Sequence, residues 1–477
     1  MKKNLSACTT VLVGKDATID GSTMAARNDD TFGPLTPQRF VTYPAYHNHP
    51  NQVKAYLNKC VVDRPADGYR YQGTPNVNYK TEGVFDESGF NEKNVGMSAT
   101  ESVYANERVL ACDPLNTESG INEDLIVAAT LPFIDSAKDG VKYLGQLIAK
   151  YGSAEGNGVI FSDKNDVWYM EIVTGHHWVA ERIPDDAYAV TGNRVAIQQV
   201  DFNDHDNFMW SEGIQEFVEK NHLNPDHEGW NFRHIFGTNT QFDHHYNTPR
   251  VWFAQRYFNP VAAASQTPES SEMPFIRKPE RKITVEDIQY ILKSHYNETK
   301  YDPLGDGNEH DRKVYRAISL SRTAQSHILQ MRNNVDSKHA AVQWIEMGVP
   351  SFNAYVPFFA NADDTDVSYR ELPKKMDLKS AFWLNEALAM VVESHYSEFN
   401  QADLDFQKEL GEWCRRKIHE VDEHAKKLDG KQLTTYLTGQ NHEIASHCNA
   451  KAKELLFNLM TQGTELSKLT FKMDPNL

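Results

Sequence analysis

The residue whose type and position most clearly allow it to react is a cysteine near the amino terminus. Cys8 begins the apolar, β-branched run CTTVLVG, so it lies at the start of a predicted strand. If the peptide bond before Cys8 is cut, that residue carries both a thiol and an α-amino group with a pKa near about 8. A nucleophile and a general base then sit on one residue, and no histidine is needed. The alternative is that Cys8 is a small buried apolar side chain, as most free cysteines are.

A charged segment in the second predicted strand supports a catalytic role for that cysteine. The letters RNDD occupy positions 27–30, and a hairpin turn at residues 20–21 brings them back beside Cys8. Arg27 would favour the thiolate and lower the thiol pKa, while Asp30 would hold and orient the α-ammonium group. Taken alone, RNDD also fits an exposed charged turn, but its spacing from Cys8 favours the catalytic interpretation.

The elements that must position these residues form two blocks of strands separated by helices. Runs of β-branched and apolar residues predict one block at 95–101, 158–162, 167–174, 178–183 and 188–191, and a second at 315–320, 327–331, 342–347 and 353–358. Capping patterns start helices at Ser136 and Thr284, and periodic stretches predict helices through 381–397, 404–428 and 442–460. This order indicates an α+β protein with two stacked sheets and helices outside them.

The bulk composition is that of a globular protein and excludes some classes of partner. The chain has 477 residues, of which 40% are apolar and 24% charged, and its net charge is −17. A nucleic-acid backbone or an anionic membrane binds surfaces rich in Lys and Arg, so we expect neither as a partner. No stretch approaches the run of about 20 apolar residues that a membrane helix needs. The sequence leaves open whether the chain forms a homo-oligomer.

The number and spacing of the cysteines, together with residues 1–8, indicate the cellular compartment of the protein. The five cysteines are scattered, odd in number and without short pairing spacings, which favours a reducing environment. The opening MKKNLSAC is like a lipoprotein cleavage site, but little more than Asn4 and Leu5 stands where a secretory signal needs about 7–15 apolar residues. We therefore expect a cytoplasmic protein.

The histidine pattern does not predict a metal site, and we expect no cofactor. Histidines come in close pairs at 47/49, 176/177 and 244/245, but adjacent residues of a strand point to opposite faces. The chain lacks the HExxH and CxxC spacings that are typical of zinc sites. The acidic loop 302–311 does not match the spacing of an EF-hand and is expected to be a solvated turn.

The motif CTTxxxG, followed by RNDD, resembles the N-terminal-nucleophile dipeptidases of the dipeptidase A type. These enzymes are distantly similar to secernins, penicillin V acylases and bile salt hydrolases, in which a Cys is followed by RNxD. Arg27 and Asp30 match that pattern. The segment GFNEKNVGMSATES (89–102) is similar to a family stretch that lies at the substrate, which implies that Thr100 and Glu101 bind it. A carboxylate at Glu101 suits a substrate with a free amino terminus.

Two later segments extend the resemblance over most of residues 8–359. The segment ERIPDDAYAVTGN (181–193) resembles the turn and strand that lead to the oxyanion-hole asparagine, which implies this role for Asn193. The segment YRAISLSRTAQSHILQ (315–330) resembles a later strand pair that carries an active-site arginine. Both Arg316 and Arg322 could be that arginine, and the sequence does not choose between them.

For the fold, the resemblance implies the four-layer αββα sandwich of N-terminal nucleophile hydrolases. The expected organisation is a leader at 1–7 that is removed on maturation, a catalytic domain at 8–377 with an insertion at about 201–281, and a helical extension at 378–477 packed on the core.

For function, the resemblance implies autoproteolysis before Cys8 and then hydrolysis of dipeptides through an acyl-enzyme. The alternatives are an N-acyl amide hydrolase of the same fold and a non-enzymatic binding protein similar to secernins. The intact set of Cys8, Arg27, Asp30 and Asn193 argues against a binding protein, and Glu101 argues against an acylase.

Overall fold

The computed structural model describes residues 8–31, 33 and 35–467. The predicted leader at 1–7 and the last ten residues of the chain, 468–477, lie outside the described residues. The chain begins with the predicted hairpin, in which Thr9–Val13 pairs with Thr23–Asp30 in antiparallel register. Gly21 in the connection has a φ of 77°, a conformation that glycine adopts without the strain of a Cβ.

The strands are numbered here in chain order. They are β1 (Thr9–Val13), β2 (Thr23–Asp30), β3 (Val41–Tyr43), β4 (Asn51–Lys54), β5 (Val61–Arg64), β6 (Tyr71–Gly73), β7 (Ser88–Phe90), β8 (Gly96–Ser102), β9 (Asn157–Ser162), β10 (Val167–Ile172), β11 (Trp178–Arg182), β12 (Tyr188–Thr191), β13 (Phe208–Trp210), β14 (Ile276–Arg277), β15 (Thr323–Met331), β16 (Ala341–Met347) and β17 (Val356–Phe359).

The α-helices follow the same numbering. They are α1 (Tyr79–Glu82), α2 (Glu107–Cys112), α3 (Glu123–Thr130), α4 (Ala137–Tyr151), α5 (Ile214–Lys220), α6 (Phe232–Phe236), α7 (Thr248–Phe258), α8 (Val285–Leu292), α9 (Val367–Arg370), α10 (Ala381–Ser394), α11 (Tyr396–Ala425) and α12 (Gly430–Glu465).

Two of these helices begin where the capping patterns predict. The hydroxyl of Ser136 accepts a hydrogen bond from the backbone N–H of Asp139 at 3.1 Å, at the start of α4. Thr284 and Asp287 form the reciprocal capping box of α8. Both patterns satisfy backbone N–H groups that the first turn of a helix leaves without a partner.

Two large sheets form the centre of the described part of the chain. One has seven strands in the order β14-β12-β1-β2-β15-β16-β17, and the other has six in the order β13-β11-β10-β9-β8-β7. Neighbouring strands in both sheets pair in antiparallel fashion. The strand β1, which follows Cys8 directly, is central in the first sheet, between β12 and β2.

The buried apolar residues divide into layers that show how the sheets stack. One cluster, with Leu12, Ile160 and Leu329, joins the facing sides of the two sheets. A second covers the outer face of the first sheet with α7, α8 and α10–α12, and a third covers the outer face of the second sheet with α3 and α4. The helix–sheet–sheet–helix order confirms the predicted α+β, four-layer αββα fold.

One of the predicted strands is wrong. Residues 315–320 form no strand, because this segment is an irregular connection that carries Arg316 towards the end of β2. The segment 201–281 contributes β13 and β14 to the two sheets and also α7.

None of the helices in the described residues is both long enough and apolar enough to cross a bilayer.

Candidate active site

The strand register brings the predicted residues together at one end of β1. Thr10 pairs with Arg27 on one side and with Thr191 on the other. Because side chains alternate along a strand and paired residues share a face, Cys8 lies on the face of Thr10 and Arg27. That face is turned to the second sheet, since the Thr10 hydroxyl donates to Glu101 Oε2 of β8 at 2.8 Å. The candidate site therefore lies in the gap between the two sheets.

Arg27 is the central contact of the Cys8 thiol. Its Nη1 lies 3.2 Å from Cys8 Sγ and donates to the Thr100 carbonyl at 2.8 Å, while Nη2 donates to the Ala99 carbonyl at 2.9 Å. The side chain is fully buried and forms an ion pair with Glu87. These contacts fix the guanidinium against the thiol, the position in which a cation stabilises a thiolate.

The thiol pKa is governed by two opposing effects. Burial raises the pKa of Cys8 well above its usual value, and the charge of Arg27 lowers it. The carboxylates of Glu101, Asp29 and Asp30 act in the same direction as burial. Arg27 thus lowers the thiol pKa as predicted, although burial, the larger effect, raises the pKa overall.

Asp30 lies on the opposite face of β2 from Arg27. Its carboxylate forms an ion pair with Arg316 Nη2 at 2.6 Å and accepts a hydrogen bond from the Thr323 hydroxyl. Arg322 donates to the Thr31 carbonyl at 3.2 Å and to the Tyr246 hydroxyl at 3.3 Å. Of the two arginines that the sequence offered, Arg316 forms an ion pair with the RNDD segment.

The arginine that contacts the Cys8 backbone is Arg250, which sequence reasoning missed. Its Nη1 donates to the Cys8 carbonyl and, at 3.1 Å, to the Thr9 hydroxyl. Its Nη2 donates to Asn193 Oδ1 at 3.0 Å and to Asn247 Oδ1 at 2.6 Å. Arg250 thus connects the nucleophile strand to the predicted oxyanion asparagine.

Asn193 presents a free amide donor to the gap. Because Oδ1 accepts from Arg250, the side-chain amide has one orientation, and its buried Nδ2 has no hydrogen-bond partner among the described residues. The backbone N–H of Asn193 donates to Asn247 Oδ1 at 3.0 Å, which fixes the loop. A buried N–H without an acceptor costs about 1–3 kcal/mol, so a site that retains one has a donor ready for a ligand.

A glycine allows Arg250 to approach this closely. A Cβ on Gly192 would lie 2.6 Å from Arg250 Nη2 and 2.7 Å from Cζ, too close for any other residue. Arg250 follows the helix start Asn247-Thr248-Pro249, in which Pro stands in the first turn of α7. That start signal was available in the sequence, but the weak periodicity of residues 201–281 hid the helix.

Glu101 and Thr100, the predicted substrate residues, are both fully buried, and Glu101 lies in the gap, where it accepts from Thr10. Burial raises the pKa of Glu101 to about 7, although Arg250 and the hydrogen bond from Thr10 oppose the shift. Glu101 Oε1 and Thr100 Oγ1 are buried and have no hydrogen-bond partner within the described ranges. Like Asn193 Nδ2, these atoms are available to a ligand.

Comparisons with known proteins place the chain in a family. Residues 7–409 match the model described as peptidase family C69. The chain belongs to peptidase family C69. Similar proteins include a probable dipeptidase of Latilactobacillus sakei, 60% identical with 99% of both chains covered, and dipeptidase A of Lactobacillus helveticus, 38% identical with 98% of both covered. A probable dipeptidase B of Lactococcus lactis subsp. lactis is 42% identical over 98% of this chain and 97% of its own.

Among solved structures, the comparison finds a mutant of the conjugated bile acid hydrolase from Clostridium perfringens. It is 13% identical, with 74% of this chain and 92% of that chain covered, and the TM-score is 0.34.

In this C69 chain, a neutral histidine also borders the site. His327 pairs with Arg27 across β15 and β2, and its Nε2 lies 2.8 Å from the Ser98 hydroxyl, which also accepts from Arg27 Nε at 2.9 Å. Burial and the charge of Arg27 lower the pKa of His327 well below its usual value. His327 therefore supports Arg27 through Ser98 and carries no charge near neutral pH.

In the described part of the chain, no three His, Cys, Asp or Glu side chains are grouped to hold a metal ion.

Proposed function

We propose that this chain is a dipeptidase whose nucleophile is the thiol of Cys8, freed as the first residue when residues 1–7 are removed. The observation that carries the proposal is the 3.2 Å contact between Arg27 Nη1 and Cys8 Sγ at the start of β1. Membership of peptidase family C69 and the dipeptidases among the relatives support the substrate class.

Removal of the leader follows from the same thiol. Cys8 Sγ attacks the carbonyl carbon of Ala7, the bond from that carbon to the Cys8 nitrogen breaks, and a thioester forms. Water then hydrolyses the thioester, which releases residues 1–7 and returns the thiol. The Cys8 nitrogen is left as a free α-amino group with a pKa near about 8.

The α-amino group acts as the general base for dipeptides. It takes the thiol proton, and Arg27 stabilises the thiolate that attacks the scissile carbonyl. The oxyanion accepts a hydrogen bond from Asn193 Nδ2, a contribution of about 3–4 kcal/mol for one such donor. The α-ammonium group protonates the leaving amine, and water hydrolyses the thioester in the second half-reaction.

Two carboxylates complete the proposed roles. Glu101 binds the α-ammonium group of the substrate through its unpartnered oxygen. Asp30 orients the α-amino group of Cys8, with its own charge held by Arg316. The Cys8 nitrogen is a backbone atom at the start of β1. It is therefore not confined to the side of the sheet on which Arg27 lies, and Asp30 can contact it from the other side.

An N-acyl amide hydrolase on the same scaffold is disfavoured by Glu101. A neutral acyl group in place of the ammonium would leave the buried Glu101 Oε1 without a partner, which costs free energy. A cytoplasmic location is supported by the five cysteines, which are all free thiols in the described residues.

The test is the intact mass of the purified protein beside that of Cys8→Ala, followed by hydrolysis of a dipeptide and of its N-acetylated form. We expect loss of residues 1–7 in the wild type only, and cleavage of the free dipeptide only. A leader retained in both proteins would argue for a binding protein similar to secernins. Preferential cleavage of the acetylated form would identify an acylase.

A further inference from the structure

A cavity of about 480 Å³ lies beside the segment that carries the proposed oxyanion donor. Arg194, the residue after Asn193, is part of its wall. The other charged groups that border it include Arg108, Arg233, His234, Asp243 and Glu272. None of these residues has a role in the proposed hydrolysis.

Arg194 is a buried cation without a partner. It is 5% exposed, and within the described ranges its guanidinium makes neither a hydrogen bond nor an ion pair, with Nε fully buried. Arg233 in the same wall is similarly buried, yet it donates to the carbonyls of Val195 at 3.2 Å and Ala196 at 2.8 Å. Arg233 thus has a structural use for its donors, whereas the donors of Arg194 are available to a ligand.

Of the four carboxylates that border the cavity, Glu107 is exposed and the other three contact other groups. Asp243 accepts from the backbone N–H of Thr240 at 2.9 Å and from Asn247 Nδ2 at 3.2 Å. Glu272 lies 3.7 Å from His234, which also pairs with Asp226.

The electrostatics of Arg194 also favour an incoming anion. Burial, followed by the charge of Arg233, lowers the pKa of Arg194 to about 9, although Asp243 and Glu272 oppose the shift. An anion in the cavity would offset both the desolvation of the guanidinium and its repulsion by Arg233.

We propose that Arg194 binds the carboxylate at the carboxyl end of the dipeptide, a role that rests on the proposed dipeptidase function. An arginine fork matches a carboxylate in bidentate geometry. Arg194 directly follows the proposed oxyanion residue Asn193 and borders the cavity, so we place the group beyond the cleaved bond in this cavity. Glu101 receives the ammonium on the other side of that bond.

The charges of Glu101 and Arg194 together favour substrates of two residues over longer ones. In a dipeptide both charged ends are one residue or less from the scissile carbonyl, whereas each added residue moves the carboxylate by up to about 3.5 Å. A tripeptide with its first bond at Cys8 would leave the Arg194 cation unpaired.

The experiment compares kcat/KM for a dipeptide with kcat/KM for its carboxyl-terminal amide, which has the same scissile bond and no carboxylate. We expect the wild type to prefer the dipeptide by about 10–100-fold, the usual range for a charged hydrogen bond. Arg194→Gln should lose that preference mainly through the dipeptide, and Arg194→Lys should retain part of it. Arg108→Gln, an exposed residue on the same cavity, is the matched control and should keep the full preference.

The outcomes separate this inference from the function on which it rests. Equal loss on both substrates in a folded Arg194→Gln protein, or no preference in the wild type, would overturn the role of Arg194 and leave the dipeptidase standing. Cleavage of neither substrate by the wild type would reject both. Added acetate should raise the KM for the dipeptide in the wild type but not in Arg194→Gln; a change in kcat alone would point to a separate anion site and contradict the proposal.

Discussion

Two buried arginines in the first sheet have different uses. Arg332 follows β15 where α11 packs, and it binds both carboxylate oxygens of Asp422, at 2.6 and 3.0 Å. Arg27 lies in the gap between the sheets, where it contacts Glu87 and the Cys8 thiol. The Arg332 pair joins the helical extension to the sheet with a bidentate ion pair.

Arg27 differs in lying beside a nucleophile. Asn193 Nδ2, Glu101 Oε1 and Thr100 Oγ1 are buried on residues that contact Arg250, Thr10 or Arg27, and the described residues offer these atoms no partner. Buried polar atoms without hydrogen bonds are costly and rare in native structures. His339, whose carbonyl accepts from Arg332, also has ring nitrogens without a hydrogen-bond partner in the described residues. The comparison teaches that buried charge and unpartnered atoms mark a candidate site only where they lie beside a nucleophile such as Cys8.

The largest expected effect comes from removing either arginine. Arg27→Met and Arg332→Met should each lower the free energy of unfolding by about 3–5 kcal/mol, because each leaves a buried carboxylate without its cation. Dipeptide turnover per folded molecule should fall at least about 10³-fold in Arg27→Met only. Urea unfolding and single-substrate kinetics measure the two quantities.

This contrast fails if Arg332→Met loses as much activity per folded molecule as Arg27→Met. Should Arg27→Met not fold, Arg27→Lys keeps a positive charge for Glu87 and allows the same comparison of turnover.

The second prediction separates an unpartnered donor from a structural one. Asn193→Ala should lower kcat about 10²–10³-fold, since it removes the proposed oxyanion donor. The melting temperature should fall only modestly, because the variant loses the Asn193 Oδ1 acceptor while Arg250 Nη2 keeps its bond to Asn247 Oδ1, and Asn193 Nδ2 has no partner to lose among the described residues. A loss confined to KM would contradict the assignment of Asn193 to the oxyanion.

The smallest expected effect concerns Glu101. Glu101→Gln should lower kcat/KM for dipeptides about 10–100-fold by removing a charged hydrogen bond to the ammonium group. The rate at which iodoacetamide alkylates Cys8 should change far less, which distinguishes substrate binding from thiol activation. Equal loss of both would contradict a substrate role.

Glu101→Gln should also change how kcat/KM depends on pH. Glu101 has a pKa of about 7, so it takes up a proton and loses its attraction for the ammonium group as the pH falls through that value. Wild-type kcat/KM should therefore decrease on the acid side of about pH 7. Glu101→Gln should lack this contribution and keep only the decrease caused by protonation of the α-amino base, whose pKa is about 8; a profile unchanged from the wild type would assign the titration to another group.

Local patterns predicted much of the scaffold because their causes are local. The β-branched run after Cys8, the capping residues Ser136 and Thr284, and the strand runs of the first block each lie within a few neighbouring residues. The segment 315–320 also has β-branched and apolar residues, but it forms no strand. Its course is set by the ion pair of Arg316 with Asp30, a contact that spans most of the chain.

By itself, the sequence determined the α+β layers, the position of Cys8 at the start of β1 and the approach of Arg27 through the first hairpin, since all of these follow from periodicity and short connections. Only the tertiary structure decided that Arg250 from α7 holds the Cys8 carbonyl, that burial outweighs Arg27 in the pKa of the thiol, and that the Arg194 guanidinium has no partner among the described residues. The physical reason is that contacts between distant segments, and the desolvation they cause, depend on how the layers pack.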